Sequence, residues 1–140
     1  MKGQVHIISE ILLFMVGIVI TSFVIFTFTT IASVSEERSL KDQFGGVADA
    51  LASAILKSTS SKNVTIRMQI PTKLSGKQYA IIFDDAIIIT DGKTEITKEL
   101  FNITKSYNII VQDNGRITSS AQYLTIRHDD GYNIAIERDQ

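Results

Sequence analysis

The chain contains no cysteine and only one proline in 140 residues. Without thiols it has neither a disulfide framework nor thiolate chemistry, and its compartment cannot be read from redox usage. An excess of charge of one sign is missing as well: the formal net charge is −1. Lys and Arg are scattered rather than clustered, so no basic groove for nucleic acid is expected. Glycine-rich phosphate loops of the Walker or dinucleotide type are absent. The two histidines, His6 and His128, stand near opposite ends of the sequence. Neither has the spacing of a metal site or of a nucleophile–base pair. Asp84-Asp85 and Asp129-Asp130 fall at turns, where Asp is favoured because its side chain bonds nearby backbone amides. No catalytic residue, no metal and no cofactor is expected, and an enzyme is the poorest of the readings.

What the chain has instead is an apolar run from Ile11 to Val34 without one charged side chain, rich in Ile, Val, Phe and Leu. Roughly 20 such residues cross a bilayer core as a helix, so the run is long enough to span with some tilt. A cleavable secretory signal has a shorter apolar region followed by a small-x-small site. The Ile31-Ala32-Ser33-Val34-Ser35 stretch comes after too long a run, so the segment is expected to stay. Lys2 precedes the run and Glu36-Glu37-Arg38 follows it. Positive-inside reasoning then places the N-terminus in the cytoplasm and the remainder outside the cell. Two sequons, Asn63-Val64-Thr65 and Asn102-Ile103-Thr104, fit an external C-terminal part and make Asn63 and Asn102 candidates for N-glycosylation. Gly17, Thr21 and Ser22 are small residues along which helices can approach closely.

Beyond the run, Leu40, Phe44, Val47, Ala48, Leu51, Ala54 and Ile55 fall at spacings of three and four, one stripe along a helix. A hydrophobic and then amphipathic helix is therefore expected over 4–57, interrupted by a kink or hinge at Gly45-Gly46 and ended by Ser58-Thr59-Ser60-Ser61-Lys62. From Asn63 the period becomes two. Val64, Ile66, Met68 and Ile70 alternate with polar residues up to Pro71, and short β-branched runs follow, separated by Asp, Asn and Gly turns. About seven strands with no helix between them predict a small antiparallel β-sandwich or barrel over 63–140. The fold class expected is α+β: a long N-terminal hydrophobic helix carrying a compact β head.

Lys2-Gly3-Gln4, followed shortly by acidic Glu10 and a long apolar helix, resembles the class III signal of archaeal type IV pilin-like proteins. The stretch "IPTKLSGKQYAIIF" looks like the first hairpin of their heads. The resemblance implies that residues 1–3 are a leader removed by a prepilin peptidase, which cuts between Gly3 and Gln4. The subunit would then leave the membrane, pack its helix in a filament core, and display its head outside. Its partners would be copies of itself or related pilin-like subunits, in a major or a minor role. Glu10 would be an assembly residue, pairing with the new amine of Gln4 on a neighbour, and His6 lies one turn before it. In pilins the acidic residue lies near the fifth mature position, whereas Glu10 would be the seventh. Ser9-Glu10-Ile11 also resembles the start of small archaellum accessory proteins, uncleaved stators with an external β-sandwich. A generic anchored surface domain is the third possibility.

Overall fold

The computed structural model of the protein describes residues 2–100, 103–129 and 131–139, with the side chains of residues 2–6 and 113 outside the description. Helix α1 runs Lys2–Thr59. Eight strands follow: β1 Val64–Gln69, β2 Ala80–Phe83, β3 Ala86–Thr90, β4 Glu95–Glu99, β5 Asn108–Val111, β6 Arg116–Thr118, β7 Tyr123–His128 and β8 Asn133–Asp139. A single helical turn, α2, covers Ile103–Ser106. The chain divides into two units, Met1–Glu37 and Arg38–Gln140.

The second unit is built on two sheets of four strands, in the orders β1-β7-β8-β5 and β4-β3-β2-β6. Leu40, Phe44, Val47, Ala48, Leu51 and Ile55 of α1 are buried in one hydrophobic cluster with Ile81, Phe83, Ile87, Ile89, Leu124, Ile126, Ile134 and Ile136 of the strands. The helical stripe and the inward rows of both sheets thus form a single core, as the spacing predicts. Isoleucines face one another across the strands. Ile81 is paired with both Ile89 and Ile117, and Ile126 with both Ile66 and Ile136, where cross-strand β-branched contacts add to the burial. The compact unit therefore begins at Arg38, well before residue 63, because the β sheets have no complete core without the helix.

Several expectations need correction. Gly45 and Gly46 do not interrupt α1; the helix passes through them because Phe44 and Val47 on either side are held in the core, and tertiary packing overrides the weak helical preference of glycine. Strands among the described residues number eight, because the stretch 117–127 holds parts of two, β6 and β7, in different sheets. A helical turn does lie between strands: in α2, Ile103 is buried and its carbonyl accepts the amide of Tyr107 at 2.7 Å. The sheets are not wholly antiparallel either, since β5 pairs in parallel with β8. Finally, "IPTKLSGKQYAIIF" joins strands that never pair, β1 and β2 being in separate sheets. Between β1 and β2 it forms a bridge from Leu74 to Lys77, turned by Ser75 and Gly76, both at positive φ, as a two-residue hairpin turn requires. Gln43 of α1 holds this turn, its Oε1 accepting the Ser75 amide at 3.0 Å and its Nε2 donating to Ser75 Oγ at 3.1 Å.

Hairpin turns at Asp84-Asp85 and Asp91-Gly92-Lys93 join β2 to β3 and β3 to β4. Asp91 Oδ1 accepts the amides of Thr94 at 2.7 Å and Lys93 at 2.9 Å. Those bonds, Thr94 first, hold its carboxyl below the usual range. Asn114 and Gly115, at φ 57° and 84°, lie in the crossing from β5 to β6, which are in different sheets. At Gly115 a Cβ would sit 2.9 Å from the carbonyl oxygen of Phe83, so both the positive φ and the close approach call for glycine.

The contrast between these glycines is testable. Gly46 has open space where a Cβ would go, so Gly46→Ala is expected to raise stability by about 0.5–1 kcal/mol. Gly115→Ala is expected to lower it by more than about 1 kcal/mol. Urea unfolding of the two variants in detergent, with tyrosine fluorescence as the probe, measures both.

Candidate assembly and membrane segment

The first unit, Met1–Glu37, is the first part of α1. Every large apolar side chain between Ile7 and Val34 is exposed, the phenylalanines Phe14, Phe23, Phe26 and Phe28 at 70–71%. None of the most apolar window is buried within the chain, and the helix is long and apolar enough to cross a membrane. Covering one such side chain is worth about 1.5–3 kcal/mol, so covering this segment is worth tens of kcal/mol. Water is therefore not its resting environment. It needs lipid or other helices.

The polar side chains in the run are already arranged for such a medium. The hydroxyls of Thr21 and Thr27 donate to the carbonyls of Gly17 and Phe23, each at 2.8 Å. Those of Thr29 and Thr30 both donate to Phe26 at 2.9 Å, and that of Ser33 to Thr30 at 2.9 Å. Each bond is one turn back along the same helix and hides a polar hydrogen that hydrocarbon cannot solvate. Residues that look polar in the sequence thus cost little here.

Glu10 is exposed on this helix. Gly3 and Gln4 have helical backbone. The side chain of His6 lies outside the described residues, as does Asn102, so the pairing of His6 with Glu10 and the second sequon are not addressed by the structure. Asn63 is described: it is exposed, takes φ 56° just before β1, and has exposed Thr65 two residues on. Both ends of the first sequon therefore face solvent, where the left-handed backbone is one that Asn tolerates.

Among the described residues no group of His, Asp and Glu has metal-site geometry. Asp84, Asp85 and Lys105 line an open depression of about 430 Å³ beside α2 and β5. A second, of about 370 Å³, is lined by Ser60, Ser61, Lys62, Tyr107, His128 and Tyr132.

His128 is the residue whose role the sequence reading did not assign. Its ring is buried, with Nδ1 2.9 Å from the carbonyl oxygen of Ser58 and 3.0 Å from that of Ser61, and Nε2 3.1 Å from that of Gly131. The signal was present in the strand alternation: Leu124, Ile126 and His128 form one inward row of β7. Tyr79 is the other buried titrating group. Its hydroxyl donates to the carbonyl of Pro71 at 2.7 Å, and burial pushes its pKa up to about 12.

Comparison of the chain with family models, with curated proteins and with solved structures gives no match.

The membrane requirement predicts a position-dependent effect. An arginine at the centre of a spanning helix costs about 2.5–3.5 kcal/mol on insertion scales. Val19→Arg is expected to shift the chain out of carbonate-washed membranes, and Ile8→Arg, near the end of the apolar run, to shift it much less. Immunoblotting of the two fractions reads the difference.

Proposed function

We propose that this protein is a structural subunit of a type IV pilus-like surface filament, inserted first in the membrane by its apolar helix and later packed by that same helix among copies or related subunits. The observation that carries the reading is the wholly exposed apolar segment Ile7–Val34 in a helix that also supplies the core stripe of the head. A helix of this composition is stable in lipid and equally stable against other apolar helices. The inward hydroxyl bonds remain satisfied in both settings.

In this reading a prepilin peptidase cuts between Gly3 and Gln4 on the cytoplasmic side. The head lies outside the cell, where Asn63 is open to glycosylation. Glu10 meets the new amine of Gln4 on the adjacent subunit, a pairing that fixes axial register because a carboxylate in a packed helical core requires a cation. The protein's role is assembly, without a reaction to catalyse.

The position of Glu10, two residues beyond the usual pilin spacing, favours one second reading: an uncleaved, membrane-anchored protein of the archaellum stator type, whose head binds another envelope component.

The N-terminus separates the two. Intact-mass analysis of protein from sheared extracellular fibres is expected to show a chain lacking Met1 to Gly3. Retention of Met1 or Lys2 on assembled protein overturns the filament reading, and an uncleaved chain found only in membranes establishes the anchored one.

A further inference from the structure

We infer that His128 is held as an imidazolium that locks the C-terminal end of α1 onto the turn between β7 and β8, making this corner of the head tightest in acid and looser as pH rises. The inference is independent of how the apolar helix is used.

The geometry leaves little choice of protonation state. A neutral imidazole has one N–H and one bare nitrogen. Here all three neighbours are carbonyl oxygens, which only accept: Ser58 and Ser61 at Nδ1, Gly131 at Nε2. Either neutral tautomer sets a nitrogen lone pair against a carbonyl lone pair at about 3 Å. The cation donates on both sides, through a shared N–H to Ser58 and Ser61 and a second N–H to Gly131. No buried side-chain nitrogen or oxygen among the described residues then lacks a partner.

Position adds to this. The last carbonyls of a helix have no partner within it and carry the negative end of its dipole. In α1 the hydroxyls of Ser58, Thr59 and Ser60 answer those of Ile55, Leu56 and Lys57, each at 2.7 Å. The carbonyl of Ser58 is answered by His128. One ring thus caps the helix, holds the following loop at Ser61 and fastens the turn at Gly131. The three carbonyls lie 70, 67 and 3 residues from it in sequence.

The charges and titrating groups around the ring are few. Asp129 adjoins it on the turn, paired with Arg127 at 3.4 Å, and Asp130 lies outside the described residues. Lys57 stands in the last turn of α1, and Lys62 lines the same depression as the ring. From β5's side, Tyr107 meets it edge-on at 5.4 Å and 83°, and Tyr132 stands 6.4 Å beyond Tyr107.

The bond to Ser61 raises the pKa of His128 most. Burial opposes it, and the bonds to Gly131 and Ser58 and the charge of Asp129 reinforce it, leaving the pKa above its ordinary value. A raised folded-state pKa gives stability that is fully present below the unfolded pKa, near 6.5, and is lost as pH rises through the folded one. Each unit of elevation changes the folding equilibrium about tenfold.

The chain has two histidines, so His6→Gln leaves His128 as its only imidazole. Proton NMR titration of that variant, full length in detergent micelles, is expected to give an imidazole pKa above 6.5. A value at or below 6.5 overturns the inference. In parallel, the unfolding constant of the wild type is expected to rise between pH 5.5 and 8.5, and that rise to shrink severalfold in His128→Gln. An equal rise in both proteins also overturns it. The titration needs no substitution at His128, so it decides the matter even where His128→Gln fails to fold.

Discussion

Everything in the head depends on one apolar stripe that belongs to another element. Leu40, Phe44, Leu51 and Ile55 of α1 are each 0–1% exposed, and both sheets turn their isoleucine rows into the cluster those residues form. A head of about a hundred residues has little core to spare. Removing the helical side chains would leave two sheets with inward faces covered only by each other. The helix is thus part of the domain's interior before it is anything else.

The same helix is apolar in two unlike ways. From Arg38 its apolar residues recur on one side and its polar residues take the other. Before Glu37 they occupy every side, and hydroxyls fold back onto the backbone. This difference is the physical basis for assigning two environments to one element. A one-sided stripe is satisfied by the chain's own strands, whereas an all-round apolar surface asks for a medium or for many neighbours. The functional reading rests on the second case, because the large apolar side chains from Ile7 to Val34 are exposed among the described residues.

Much of this was legible from residue spacing. The stripe from Leu40 to Ile55, the alternation in β1 and the turn at Asp91-Gly92 each follow from local periodicity and turn chemistry, and each is where the spacing puts it. What escaped was set by distant parts of the chain. Gly45-Gly46 stay helical because Phe44 and Val47 are anchored in the core, a fact absent from the local sequence. Pairing of β5 with β8 in parallel reflects topology, on which strand composition is silent. The part of His128 is a matter of three carbonyls that the fold brings to it, although its inward place could be read from Leu124 and Ile126. For the apolar segment, residue composition shows the run and the candidate residues at its start, while the way each hydroxyl is satisfied needed coordinates.

The placement of β8 bears on when the head can exist. It is the latest of its four strands in sequence, yet it lies inside the sheet, between β7 and β5. Until residues 133–139 arrive, β5 has no neighbour to pair with, and β1 and β7 form only a two-stranded ribbon, which is marginal alone in water. Closure by so late and central a strand makes the head an all-or-none product with distant contacts, the kind that forms slowly.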